Sequence, residues 1–467
     1  MAIDQGLLTV DGTKHSANGS IGTNGTEDDV IGGDGMYFLT ESAKTSSEDG
    51  IRALWKYEKP GVVSFVGCLA GRPNSDSFPF ESITLNLKPP LGSTSTSTQN
   101  LSLNGADLAD ALQYGPSGGL PKLRSLLYQL QQEVHHREDD GTWGTTVGAG
   151  CQNLLNAAVD ALMNEGDSIL IETPVYPGIL APLRKKNAEM IEVDVDEGGL
   201  SPAALEQVMS SLTPDQKRPK LLYVNPIGCN PSGCSHSLER RLEVLKLCKK
   251  YGLLILEDDP YYYLAETTIP SYFELEKRVF PQGGRVVRFD SFSKLLSAGL
   301  RLGFATGPGN ILRAIDTINS GTILHASTVS QGITYCLLEH WGLDGFRNHA
   351  HHVAELYARR RETFETIVKK HLSGLATWVS PVAGMFLWMD LSPSGIEDSF
   401  DFVLNAAKVH GVLGVPGASF YPNKRISSYM RLSFSVIDLD TDAEEGIARF
   451  AAAIKDKQKE LGIKVAP

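Results

Sequence analysis

A lysine and several anion-binding groups share one short stretch of this chain: Ser291-Phe292-Ser293-Lys294, with Arg301 seven residues on in Gly299-Leu300-Arg301-Leu302-Gly303. A lysine amine becomes a usable nucleophile only where its surroundings lower its pKa, and hydroxyls with a fixed guanidinium are suited to holding a phosphate. The chemistry this set could do is covalent: attack on the aldehyde carbon of a molecule whose phosphate is anchored beside the lysine. Taken alone, Ser-x-Ser-Lys is a weak signal, because most loop lysines are solvated charges. Its weight comes from what lies upstream.

Asp258 follows Asn230 by 28 positions, and each stands at the end of an apolar run that reads as a buried parallel strand. The first run is Lys220-Leu-Leu-Tyr-Val-Asn-Pro226, leading to Asn230-Pro-Ser-Gly233; the second is Leu253-Leu-Ile-Leu256, leading to Glu257-Asp258-Asp259-Pro260-Tyr261. Between them, Leu238, Leu242, Leu245 and Cys248 recur at helical spacing; Ser235 or Ser237 is the N-cap, and Lys249, Lys250 and Gly252 close the end. Strand, helix, strand makes a βαβ unit whose ligand crevice lies at the carboxyl edge of the sheet, so Asn230, Asp258 and Lys294 converge there.

Asn-Pro-Ser-Gly, the pair Asp258 and Tyr261, Ser-x-Ser-Lys and Arg431 in Tyr429-Met-Arg-Leu-Ser433 together resemble the fold-type I pyridoxal-phosphate aminotransferases of class I/II. Glu-Asp-Asp-Pro-Tyr-Tyr-Tyr and Ala383-Gly-Met-Phe-Leu-Trp388 look most like the aromatic, kynurenine and 2-aminoadipate subgroup. The similarity runs from about residue 50 to the end. It implies an α/β protein like aspartate aminotransferase: a large cofactor-binding domain with a mostly parallel, seven-stranded type of sheet, and a smaller α/β domain. The expected divisions are a disordered leader over 1–35, an N-terminal arm and part of the small domain over 36–105, the large domain over 106–345, and the C-terminal small domain over 346–467.

The resemblance also implies roles. Lys294 holds pyridoxal 5'-phosphate and moves the proton during turnover. Asp258 pairs with the pyridine nitrogen, Asp259 being its rival and otherwise a cap. Asn230 and Tyr261 donate to the phenolate oxygen. The phosphate takes the helix N-terminus at Gly150, Cys151 and Gln152, together with Ser291, Ser293 and Arg301. Cys151 stands where the family commonly has a hydroxyl residue, so its amide matters more than its side chain. Tyr176 stacks on the ring. Tyr114 reaches the phosphate of a neighbouring subunit, which implies a homodimer with shared active sites. Arg431 takes the substrate carboxylate with its planar fork, and Phe386, Gly71 and Arg72 lie on the substrate side. Arg72 either points to solvent or reads a polar group on the substrate.

The expected reaction moves the amino group of an aromatic or long-chain L-amino acid to a 2-oxo acid. Carbon–sulfur lyases and related eliminating enzymes share the fold and are the competing reading. A transcription regulator with an aminotransferase-like domain would need a helix-turn-helix region ahead of it, which the Gly/Ser-rich acidic leader does not supply. The 467 residues, 42% hydrophobic, suffice for a large core, and a net charge of −12 argues against a nucleic-acid partner. Six scattered cysteines fit a reducing compartment, and Cys229 and Cys234 have no second pair to complete a zinc site, so no metal is expected. The leader resembles neither a signal nor a transit peptide, and no apolar run approaches membrane-spanning length, so a soluble cytoplasmic protein is expected. Gly92–Gln99 reads as a low-complexity loop, Pro121 opens an amphipathic helix, and His135, His136, His349, His351 and His352 read as solvated.

Overall fold

Apolar runs at 169–171, 221–224 and 254–256 are buried on both faces, as a parallel sheet sandwiched between helices requires. The computed structural model describes residues 31–47, 79–89 and 98–463. Gly71, Arg72, residues 1–30 of the leader and residues 92–97 of the low-complexity loop lie outside the described residues.

The main sheet has the order β3-β10-β9-β8-β7-β4-β5-β6. Its strands are β3 (Trp143–Gly148), β4 (Ser168–Thr173), β5 (Glu189–Asp196), β6 (Gly199–Leu200), β7 (Leu221–Val224), β8 (Leu254–Asp258), β9 (Val286–Ser291) and β10 (Gly303–Pro308). Ahead of them in the chain, β1 (Ile83–Leu87) and β2 (Gln99–Leu103) form a separate antiparallel pair. Pairings β4–β5, β4–β7, β7–β8 and β8–β9 are parallel, whereas β10 runs against both neighbours. The seven-stranded type of sheet is therefore present, with two-residue β6 added at the edge.

Alternation along the strands divides two apolar layers. Leu221, Tyr223, Leu254, Leu256, Val287 and Phe289 meet the helices Cys151–Leu162, Pro177–Lys185 and Gly309–Thr322. Leu222, Val224, Ile255 and Val286 meet Pro202–Ser211, Leu238–Tyr251 and Tyr272–Val279. The helix between β7 and β8 takes its N-cap from Ser237, which accepts from the Arg240 amide, and ends at Gly252 in the left-handed region. Ser235 instead accepts from the Gly228 amide. Ile31, Phe38 and Leu39 also pack in the first layer, so the stretch 31–35, expected as leader, begins the docked chain.

A second antiparallel sheet, β11-β12-β14-β13, contains β11 (Thr377–Trp378), β12 (Phe386–Asp390), β13 (Val415–Pro416) and β14 (Tyr429–Ser433). Its core residues run from Phe364 to Ile454. Helix Thr328–Leu372 breaks at Gly342, where the backbone leaves helical geometry. The loop after β7 meets the turn before β12 through two glycines: a Cβ on Gly228 would lie 2.6 Å from the Gly384 amide, and one on Gly384 would lie 2.6 Å from the Gly228 carbonyl. Among the described residues no helix is long and apolar enough to cross a membrane.

Two expectations are corrected. His135 is wholly buried rather than solvated: its Nδ1 lies 3.0 Å from Ser271 Oγ, and its ring packs on Tyr262 and Phe273. His349 is half-buried, with Nε2 2.9 Å from the Leu295 carbonyl and its ring stacked on Trp341. The helix-periodic pattern places both on helices but does not say which side another element covers. Asp259 is an ion-pair residue: on the sheet face opposite Asp258, Arg288 donates to it at 2.9 Å, chelates Asp290 at 2.8 and 2.9 Å, and lies 3.3 Å from Glu257.

All four members of that cluster are buried, and removing one partner of a buried charge set leaves the others uncompensated. Arg288→Met should lower unfolding free energy by roughly 3–5 kcal/mol or abolish folding. Urea denaturation checks it, and a loss below about 1 kcal/mol would show the three acids neutralised by other means.

Candidate active site

β3, β4, β7, β8 and β9 run in one direction, so the residues that follow them emerge at a single edge. Cys151 comes after β3, Tyr176 after β4, Asn230 after β7, Asp258 at the end of β8, and Ser293 and Lys294 after β9. Arg301 instead precedes β10, and because β10 is reversed its amino end lies at that same edge, with Gly303 opposite both Gly148 and Ser291. These groups line a cavity of about 320 Å³ together with Gln152, Tyr261, Ser291, Phe386 and Arg431. Gly150 lies immediately before Cys151, at the helix N-terminus. Tyr114 does not line the cavity: it is 52% exposed, edge-on to His325 at 6.0 Å. Gly71 and Arg72 lie outside the described residues.

The anion end is built by close approach. Gly150 has φ 87°, and a Cβ there would lie 2.9 Å from Arg301 Nη2. Arg301, itself left-handed at φ 52°, makes long contacts to the Ala298 and Ala149 carbonyls, at 3.4 and 3.5 Å. The Cys151 thiol donates to the Asp290 carbonyl at 3.0 Å, and burial holds its pKa well above the usual thiol range. It is a packed donor rather than a reactive thiolate, which leaves the first-turn amides to meet an anion.

At the other end, Arg431 reaches across from β14. Its Nη1 donates to Asn230 Oδ1 at 2.7 Å, while its guanidinium lies 4.2 Å from the centroid of Phe386 and 5.3 Å from that of Phe420. With Asn230 Oδ1 so occupied, the Asn230 amide NH2 is the group left to donate. Burial lowers the Arg431 pKa, and its Nε has no hydrogen-bond partner among the described residues. Tyr261 packs edge-on against Phe386 at 6.0 Å, and the Tyr176 hydroxyl donates to Gln152 Oε1 at 3.3 Å. Lys294 has its pKa lowered, first by burial and then by the positive fields of Arg301 and Arg431. A lowered pKa is what an amine needs to act as nucleophile and base.

Asp258 lies between the two ends. Tyr223 donates to its Oδ2 at 2.7 Å, while Oδ1 is buried without a hydrogen-bond partner among the described residues. Burial pushes this carboxyl up to about 7, with Glu172 and Asp290 adding to the effect. An orphaned acceptor in such a place calls for a cationic N–H donor. Pyridoxal phosphate fits on each count: a basic ring nitrogen for Asp258 Oδ1, a phosphate for the glycine-lined helix N-terminus and Arg301, and an aldehyde for Lys294.

Sequence reasoning missed the residues that fix these groups relative to one another. Asn225 Oδ1 accepts from the Asn230 amide at 2.8 Å, its Nδ2 donates to the Asp258 carbonyl at 2.5 Å, and its own amide donates to Glu172 Oε1. Its position at the exit of β7 was visible. Glu172 and Phe420 come from distant segments, and no local pattern marks them.

The sequence profile of the family described as aminotransferase class I and II matches residues 97–445. Aminotransferase tdiD of Emericella nidulans is 39% identical over 409 residues, covering 86% of this chain and 92% of its own. The mitochondrial kynurenine/alpha-aminoadipate aminotransferase of Bos taurus is 33% identical, covering 85% and 94%. Among solved structures, the kynurenine aminotransferase of Pyrococcus horikoshii, "in complex with PMP, KYN as substrates and KYA as products", superposes with a TM-score of 0.68. It is 28% identical and covers 74% of this chain and 83% of its own.

The buried carboxyl makes stability depend on pH in a defined sense. Below about pH 4 Asp258 is protonated both folded and unfolded, and its burial carries no charge penalty. As pH rises from there to about 7, the unfolded chain ionises freely while the folded, cofactor-free chain resists, so stability falls. Asp258→Asn removes this slope. Denaturation of both cofactor-free proteins should show the variant gaining roughly 2–3 kcal/mol on wild type between pH 5 and pH 8. A difference independent of pH would show that Asp258 ionises as readily in the fold as outside it.

Proposed function

The chain belongs to the class I and II aminotransferase family, and from that premise we propose that its amino donor is an aromatic or long-chain L-amino acid and its acceptor a 2-oxo acid. Its cofactor is pyridoxal phosphate. The observation that carries the substrate reading is the setting of Arg431: a half-buried guanidinium between Phe386 and Phe420, in the same cavity as Lys294. A carboxylate docked there is held by a charged fork, with apolar rings beside it for a large side chain.

The residues divide the work by position. Arg301 and the first-turn amides at Cys151 and Gln152 hold the phosphate, with Ser291 and Ser293 as hydroxyl donors, and Gly150 leaves room for the approach. Asp258 holds the ring nitrogen, Asn230 and Tyr261 donate to the phenolic oxygen, and Tyr176 covers the ring. When bound, the cofactor supplies an electron sink for the pair of electrons left after α-deprotonation. Lys294 would hold the cofactor at its aldehyde carbon and, as a free amine, would move the proton at the substrate's α-carbon. Gly71 and Arg72 are assigned to the substrate side by family resemblance.

We assign 106–345, with the docked stretch 31–47, to the large domain. The smaller domain comprises the rest of 36–105 and 346–467, a division supported by the separate core from Phe364 to Ile454 and open to limited proteolysis. A cytoplasmic location is supported by the composition of the leader, against the mitochondrial relative, and cell fractionation decides between them.

Purified holoenzyme mixed with phenylalanine, tyrosine, tryptophan, kynurenine or 2-aminoadipate, with no oxo acid present, should convert its cofactor to the amine form in one turnover, read by absorbance. In Arg431→Ala the same donors should bind at least about tenfold more weakly, the loss of one charge-assisted contact, while the cofactor stays bound. Inertness towards all five donors, with release of pyruvate, ammonia and a thiol from a cysteine conjugate, would establish elimination instead.

We place Tyr114 at the phosphate of a second copy, its exposure in one chain supporting a composite site. Sedimentation should give a dimer, and Tyr114→Phe should retain cofactor about tenfold less tightly, as loss of a hydrogen bond to a charged group implies. A catalytically competent monomer would end this assignment.

A further inference from the structure

Tyr223 and Asp258 share one face of the sheet because the register pairs Leu221 with Leu254 and Tyr223 with Leu256, and alternate residues carry that face on to Asp258; the layer they enter is the one packed on helix Cys151–Leu162. Tyr223 is 0% exposed and lies behind the cavity rather than in its lining. Its hydroxyl sits 2.7 Å from Asp258 Oδ2. Asp258 has no ion pair among the described residues: the nearby Arg288 is turned to the opposite face, where Asp259, Asp290 and Glu257 surround it. The Asp258 backbone is fixed separately by Asn225. One carboxylate oxygen therefore has its donor and the other, Oδ1, has none among the described residues.

We propose that Tyr223 is a positioning residue that aims Asp258 Oδ1 at the cofactor's ring nitrogen and, by donating to Oδ2, keeps the shared proton on that nitrogen. The inference rests on the reading of Asp258 as the ring-nitrogen partner. A hydrogen bond to the ionised carboxylate favours the charged form over the neutral acid. One proton is partitioned between Oδ1 and the ring nitrogen, and anything that stabilises the carboxylate moves it towards nitrogen. The setting calls for this assistance: desolvation, Glu172 and Asp290 push the proton onto Asp258, while Tyr223 and the more distant Arg288 oppose them. Tyr223 touches neither substrate nor reacting carbon, so its effect belongs to the rate of deprotonation rather than to substrate binding.

Tyr223→Phe keeps the ring that fills the core and removes only the hydroxyl. With cofactor labelled at the ring nitrogen, its 15N resonance in the variant should move towards the neutral-pyridine position. The kcat should fall about tenfold with KM within twofold of wild type, a change equivalent to one pKa unit. The same substitution made on Asp258→Asn should leave both readings where Asp258→Asn alone puts them. Should Tyr223→Phe give no folded holoenzyme, 3-fluorotyrosine at 223 retains ring and hydroxyl. Its more acidic phenol should shift the resonance in the opposite sense. An unchanged 15N resonance in whichever variant is read, or an equal loss in the Asp258→Asn background, would reduce Tyr223 to core packing. A 15N shift of the predicted sense with altered KM and unaltered kcat would likewise overturn the proposal.

Discussion

A carboxylate placed where water cannot reach it must find a donor or give up its charge. Asp258 has found half of what it needs. Tyr223 serves Oδ2, nothing among the described residues serves Oδ1, and the nearest strong cation is committed to three other acids on the far side of the sheet. The rest of the site follows from this incomplete satisfaction. A buried acceptor of that kind is tolerable only where a ligand completes it, and the ligand must bring an N–H with positive character. The cavity's other groups then state what else that ligand carries: a phosphate beside Arg301 and the helix N-terminus at Cys151, and a carbonyl within reach of Lys294.

The separation of Asp258 from Asp259 shows how a sheet assigns function by parity. Adjacent residues at a strand end point to opposite faces. Glu257 and Asp259 join Arg288 and Asp290 in a charge cluster that ties β8 to β9 and, through the amides of Tyr272 and Phe273, to the start of the next helix. Asp258 is left facing the cavity. A one-residue slip of β8 would put Asp259 in the cavity and strand Arg288, so the ion cluster also fixes the register that turns Asp258 to the cavity.

Much of this was legible in the sequence, for reasons of range. The βαβ unit, a serine cap at 235 or 237, the Gly252 stop and the convergence of Asn230, Asp258 and Lys294 depend on local patterns and on the rule that strand ends share an edge. The burial of His135 was not legible, because the Tyr262 and Phe273 that cover it lie more than 120 residues away. Asn225, Tyr223 and Glu172 were visible as residue types but carried no role until the fold put them within hydrogen-bond distance of one another's neighbours. An asparagine before proline is ordinarily a turn residue; here its side chain spans two strand ends.

Charge explains why the two ends of the cavity lie in different sheets. Arg301, Lys294 and Arg431 line one space with Asp258 as the facing acid, and the first and last of them help to depress the lysine pKa. Three cations on one rigid element would repel without relief until ligand arrived. Here Arg301 is anchored between β9 and β10, while Arg431 stands on β14, joined to the large sheet through Asn230 and the Gly228–Gly384 approach. A phosphate at the first end and a carboxylate at the second would each relieve that repulsion. Each anion that entered would weaken the field that, after burial, holds the Lys294 pKa down.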